Sequence, residues 1–136
     1  MKSIGIDFGM ARIGIALSDE TKFLATPYET YHRINEEQDL NHLAEIILTN
    51  KVDEVVCGLP MNMQGEEQEI ATKTREFMAK LQAKTALEPV FVDERLSSVL
   101  AQEFLAEREK DWKKRKEKLD AVAASIILQD YLDEKR

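Results

Sequence analysis

The chain has 136 residues, of which 43% are hydrophobic and 33% charged, with a formal net charge of −7. That length predicts one domain spanning 1–136 with its own core, and the composition excludes a disordered chain. A single cysteine, Cys57, excludes an internal disulfide and a thiolate zinc site, and with only His32 and His42 besides, any metal is expected on oxygen ligands.

The first two runs, Ser3 to Phe8 and Arg12 to Leu17, are rich in isoleucine and are broken at Gly9, which predicts two consecutive strands joined by a short turn. Ser18 to Lys22 reads as a second turn. Phe23 to Tyr31 reads as a third strand, with Pro27 marking an edge or an irregularity. The period then changes: Leu40, Leu43, Ala44, Ile47 and Leu48 form the stripe of an amphipathic helix. Glu54 to Leu59 reads as a buried strand, Ile70, Thr74, Phe77, Met78 and Leu81 mark a second helix, and Pro89 to Asp93 a fifth strand. Two helices close the chain, at about Ser98 to Glu107 and Glu117 to Leu132. This order predicts an α/β fold with a mixed sheet and helices on its faces. No apolar run reaches the ~20 residues of a membrane helix, and the N-terminus lacks a signal peptide's apolar core and cleavage site. The protein is expected in the cytoplasm, with no membrane partner.

The chain's acidity argues against a nucleic-acid partner, yet the charge is uneven. From Arg108 to Lys118 seven basic residues stand against three acidic ones, a local +4 that leaves the remainder at −11. Lys113, Lys114, Arg115 and Lys116 are candidate phosphate contacts, against the simpler reading of a solvated helix face. Trp112 among them either stacks on a base or packs a loop onto the body.

Acids stand at three places where apolar residues are expected. Asp7 interrupts GIDFG at the end of the first strand, where a buried carboxylate is costly unless it is paired or ligates a cation. The simpler alternative is a turn-capping aspartate. Asp93 and Glu94 end the strand Val90 to Val92 in the same way, either as ligands or as surface partners of Arg95. Asp120 shares a helix face with Ala123, Ala124 and Ile127, three, four and seven residues on, small or apolar neighbours that would let the helix approach a sheet closely. Its alternative is an acid near the helix start that complements the macrodipole. If the three converge, repulsion raises their pKa values or demands a divalent cation, and carboxylates suit Mg²⁺ or Mn²⁺. Two such ions would activate a water and stabilise the leaving oxygen of a phosphodiester. The glycines fall in GIDFGMARIG and GLPMNMQG, which implies tight turns or close approach of a ligand. Ser97 and Ser98 read as helix N-caps and Cys57 as core.

Four segments in order, GIDFGMARIGIALSD, GLPMNMQG, VDERLSS and KLDAVAASIILQDYL, resemble the YqgF (RuvX) family of pre-16S rRNA nucleases, relatives of the RuvC Holliday junction resolvases. The resemblance covers essentially the whole chain. It implies an RNase H-like fold, a five-stranded mixed sheet made of an antiparallel meander of three strands plus two parallel strands, flanked by helices. It implies Asp7, Glu94 and Asp120 as catalytic metal ligands, with Glu94 preferred to Asp93, and contacts to nucleic acid from Arg12, Asn62 and Arg95. It also implies maturation of the 5′ end of 16S rRNA, in reach of ribosomal assembly proteins. Ala11 stands where the family carries a basic residue, and Ser97 and Ser98 replace its threonines.

The expectation is therefore a metal-dependent endonuclease for structured RNA, acting as a monomer or weak dimer. Branched DNA is the alternative substrate. A catalytically inactive RNA-binding module is a further alternative. An Asp-x-Gly turn between strands also opens ATP-binding folds, but these need a second copy of the fold to close over the nucleotide.

Overall fold

A computed structural model describes every residue except Met63, Arg95 and Leu96, and only the backbone of Ser97 and Ser98. The described residues form β1 (Lys2–Phe8), β2 (Arg12–Ser18), β3 (Ala25–His32), α1 (Glu36–Thr49), β4 (Val52–Leu59), α2 (Glu69–Thr85), β5 (Pro89–Asp93), α3 (Ser97–Arg108) and α4 (Trp112–Lys135). The sheet order is β3-β2-β1-β4-β5. β1, β2 and β3 form the expected antiparallel meander, and β4 and β5 add to it in parallel. No helix among the described residues is long and apolar enough to cross a membrane.

Because strand side chains alternate, each strand divides its residues between two unlike faces. One face carries Ile4, Ile6 and Phe8, then Ile13, Ile15 and Leu17, then Val55 and Cys57. These pack on Leu40, Leu43, Ile46 and Ile47 of α1 and on Phe77, Met78 and Leu81 of α2. Burying each of those large side chains is worth roughly 1.5–3 kcal/mol, so most of the apolar driving force sits here. The other face reads Gly5, Asp7, Gly14, Ala16, Val56 and Gly58. It is covered by α4 through Ala124, Ile127, Leu128, Tyr131 and Leu132. α3 lies against α4, with Ala101 and Leu105 meeting Val122 and Ala123.

On that second face the glycines let helix and sheet meet backbone to side chain. A Cβ on Gly5 would stand 2.7 Å from Leu128 Cβ and 2.9 Å from the Ala124 carbonyl oxygen. Of the expected glycine roles, the turn holds at Gly9, whose N–H bonds the Arg12 carbonyl at 2.9 Å, and at Gly65, which has φ 81°. At Gly5 and Gly14 the close approach is that of α4 itself.

The structure departs from expectation in several details. β3 begins at Ala25 rather than Phe23, because Asp19 Oδ1 accepts from the N–H groups of Phe23 (2.8 Å) and Leu24 (3.3 Å) and holds them in a turn. Pro27 lies on the edge strand and also at a register shift, where Ile15 faces Glu29 and Ala16 faces Pro27. In α1 the buried stripe runs Leu40, Leu43, Ile46 and Ile47, while Leu48 is 81% exposed. The largest difference is α4, which starts at Trp112 rather than Glu117. Asp111 caps it, its Oδ1 accepting from the Lys113 N–H at 2.9 Å, so the basic segment forms the first turns of a helix that later enters the core.

Candidate active site

Asp7 lies near the end of β1 on the α4 face, directly opposite Gly14 of β2. Gly14 has no side chain to hold α4 away. A Cβ there would lie 1.9 Å from the Asp120 carbonyl oxygen and 3.1 Å from Asp120 Cβ, so Asp120 sits on the strand next to Asp7. On the other side of β1, β4 runs parallel with Ile6 paired to Cys57. The next residue, Gly58, is again bare, and a Cβ on it would stand 2.7 Å from Glu94 Oε2. Glu94 follows the end of β5, its N–H reaching the Leu59 carbonyl at 3.4 Å. Two glycines therefore clear the ground on either side of Asp7, and one acid fills each clearing.

The electrostatics agree with that geometry. Burial pushes the Asp7 carboxyl up from 3.8 to about 6; a hydrogen bond with Glu94 pulls it back, and the negative charge of Asp120 adds to the rise. Cys57 lies beneath, fully buried in the core as expected, and its thiol is pushed well up by burial and then by the charges of Glu94 and Asp7. It is Glu94, rather than Asp93, that reaches Asp7. The reading of Asp120 as a helix-start acid fails, because α4 begins two turns earlier and Asp111 takes the cap. Asp120 instead accepts from Arg12 Nε at 2.7 Å. Among the described residues no group of three His, Cys, Asp or Glu side chains is already gathered for a metal ion; Asp120 is engaged by its arginine.

Arg12, the first residue of β2, is thus beside the acids. Asn62 is not turned to them: its Oδ1 accepts from the Gln64 and Glu66 N–H groups, both at 3.0 Å, and its Nδ2 donates to Glu66 Oε1 at 3.1 Å. It shapes the loop that leaves β4 next to Glu94. Arg95 lies outside the described residues, as do the side chains of Ser97 and Ser98, so their expected roles have no structural account. The four candidate cations at the start of α4 diverge. Lys113 and Lys116 line a cavity with Arg12, whereas Arg115 lies with Gln102 and Leu105 of α3. Lys114 lies in neither the cavity beside Arg12 nor the one against α3. Trp112 does not pack a loop down; it is 63% exposed on the helix.

Sequence reading missed Arg33 and Asp39. Asp39 is fully buried in α1 and accepts from Tyr31 Oη (2.9 Å), Arg33 Nε (2.8 Å) and the Ile34 N–H (2.9 Å). Burial alone would raise its carboxyl, but these donors hold it below the usual range. Arg33, laid over the rings of Phe8 and Phe77, donates from Nη1 to the Gly9 carbonyl at 3.2 Å. It ties down the turn that follows Asp7. The signal was present: Asp39 shares its helix face with Leu43 and Ile46, the same acid-on-apolar-stripe pattern that singles out Asp120.

Comparison with known proteins shows what the chain is similar to. A family model described as "RuvX: Holliday junction resolvase" matches residues 1–134. Proteins named "Putative pre-16S rRNA nuclease" are similar over almost the whole chain. That of Maridesulfovibrio salexigens is 40% identical over 132 residues, covering 97% of this chain and 98% of the relative. That of Halothermothrix orenii is 44% identical over 134 residues, covering 98% and 95%. Among solved structures, T. thermophilus RuvC in complex with Holliday junction substrate superposes with a TM-score of 0.61 at 13% identity, covering 99% of this chain and 96% of RuvC. Fowlpox virus resolvase, with substrate Holliday junction DNA, gives 0.60 at 12% identity, covering 99% of each. At such identities the two structures show a shared fold, the RNase H-like one.

Proposed function

Because the chain belongs to the RuvX family, described as Holliday junction resolvases, we propose that it is a metal-dependent endonuclease whose substrate is precursor 16S rRNA, cut in the cytoplasm. The substrate follows the names of the relatives. The activity rests on one observation, the buried Asp7 flanked by Asp120 and Glu94, which fill the spaces left bare by Gly14 and Gly58. Concentrating three acids at a strand end is unfavourable in itself, and a divalent cation relieves it.

The donor set fits Mg²⁺ or Mn²⁺: all three groups are carboxylates, which suit small hard cations that keep some of their water. Asp7, Glu94 and Asp120 would hold the ion, which when bound supplies activation of the attacking water and neutralisation at the leaving oxygen. Ligation asks Asp120 to exchange Arg12 for the cation. Arg12 is then free to donate to a phosphate oxygen from the same spot, since its guanidinium matches phosphate as well as carboxylate. Lys113 and Lys116 extend that positive surface along α4, and Asn62 acts by shaping the loop beside Glu94. Arg33 keeps the β1 to β2 turn, and with it Asp7, in one position.

Cleavage of precursor rRNA under Mg²⁺ by the wild type and by Asp7→Asn tests this. The variant is expected to lose cleavage, by at least a hundredfold, while its circular dichroism stays that of the wild type. A folded variant that still cuts at the wild-type rate refutes the assignment. The family's description favours branched DNA as a second substrate, and the same pair of proteins assayed on a four-way junction separates the two.

A further inference from the structure

Among the described residues, a cavity opens beside the Arg12 to Asp120 pair. It measures about 270 Å³ and is walled by Arg12, Thr30 and His32 from the meander and by Trp112, Lys113 and Lys116 from α4. One acid, Glu117, shares the wall. Trp112, the only tryptophan of the chain, is 63% exposed at its rim. Leaving that ring in water is unfavourable, and no core position explains it.

Lys118 pairs with Glu109 at 3.1 Å, and Lys114 lies near the same acid. Among the described residues neither Lys113 nor Lys116 has an acidic partner. In a chain of net charge −7, two cations of this segment without acidic partners thus line a cavity whose wall also carries an exposed indole ring.

Position along α4 gives the arrangement a direction. Trp112, Lys116 and Asp120 follow one another at four-residue intervals and so share a helix face, in the order aromatic, cation, carboxylate. Trp112 and Asp120 are about 12 Å apart along the axis. That is the length of a few nucleotides, three to four where the strand keeps the ~3.4 Å rise of a stacked helix. Stacking on an aromatic ring requires a base out of its pair, and a ring flanked by lysines is the chemistry that holds single strands.

We propose that this cavity is a single-strand subsite, in which an unpaired base a few nucleotides from the scissile phosphate stacks on Trp112 while Lys113 and Lys116 hold its neighbouring phosphates. The subsite deepens the nuclease reading and rests on it for the position of the scissile phosphate. It makes the substrate a strand that is unpaired next to the cut.

Because Trp112 is the sole tryptophan, its emission reports the stack directly. The full chain is titrated in EDTA, where no cleavage occurs, with a 12-mer oligouridylate, a 12-mer oligodeoxythymidylate and a 12-base-pair RNA duplex. Affinities are read in parallel by anisotropy of the labelled oligomers. Single strands are expected to quench the emission saturably and the duplex to bind at least tenfold more weakly; the two single-strand arms say whether RNA or DNA is preferred. Trp112→Ala should bind single strands about tenfold more weakly and Trp112→Phe within about threefold of wild type. Lys113→Gln and Lys116→Gln should each lower the slope of log affinity against log salt by about 0.7. Binding without quenching, a duplex that binds as well as the single strands, or full affinity in Trp112→Ala overturns the subsite. Quenching without any cleavage under Mg²⁺ would keep the subsite and remove the nuclease reading, and cleavage without quenching would do the reverse.

Discussion

Asp7 is held at some thermodynamic disadvantage. Its carboxyl is raised from 3.8 to about 6, mainly by burial, so the fold prefers it protonated. The sign follows directly: this group's contribution to stability is fully present below about pH 4 and is lost as pH rises through about 6, where the buried charge must form. A rise of about two pKa units corresponds to an order of 3 kcal/mol. Asp7→Asn, which cannot ionise, is therefore expected to unfold in metal-free urea at higher denaturant than the wild type at pH 8, by about 1–3 kcal/mol, and to lose most of that advantage at pH 4.5. A variant less stable than the wild type at both pH values would show that Asp7 is a structural acid, as Asp39 is. The two residues mark the limit of reading acids in sequence: both sit on apolar faces, but Asp39 finds Arg33, Tyr31 and a backbone N–H inside the fold, whereas Asp7 meets other carboxyls.

At the scale of elements, the site depends on how closely α4 lies on the sheet. Gly14 decides that distance, because the nearest obstacle to a Cβ is the backbone carbonyl of Asp120 at 1.9 Å, and no rotamer change relieves a clash with backbone. Gly14→Ala is expected to cost about 2–4 kcal/mol in urea unfolding and to carry Asp120 away from Asp7. Its folded fraction should accordingly lose cleavage out of proportion to its loss of stability. An alanine variant with wild-type stability would mean that α4 rides further from β2. The Arg12 to Asp120 pair at the same place contributes little to the fold, being exposed on the arginine side, and belongs to function rather than stability.

For the whole molecule, the clustering of acids predicts a linkage between metal and stability. Mg²⁺ binding to the native state alone should raise the unfolding free energy by about 2.7 kcal/mol at a hundred times its dissociation constant. Thermal melts with increasing Mg²⁺ should therefore shift upward for the wild type and stay flat for Asp7→Asn. An equal shift in both would place the cation elsewhere.

The strand and helix order was legible in the residues because their periods differ so plainly. The Ile-rich runs of β1 and β2 alternate, and Ile70, Thr74, Phe77, Met78 and Leu81 repeat at helical spacing in α2. Even the small residues that admit a close helix could be seen around Asp120. The start of α4 could not, because Trp112 to Lys116 carries no apolar period; that stretch is helical because it continues a helix anchored further on by Ala124, Ile127 and Leu128. Local pattern alone thus determined the elements, their order and the three acids that sit oddly within them, since each of these is written within a few neighbouring residues. Tertiary structure alone decided that Gly14 and Gly58 would face α4 and Glu94, that Asp120 would lean on Arg12, and that two of four cations would share a cavity with Trp112. Those facts join residues as many as 108 positions apart, and no local propensity acts over such a distance; strand register and helix docking do.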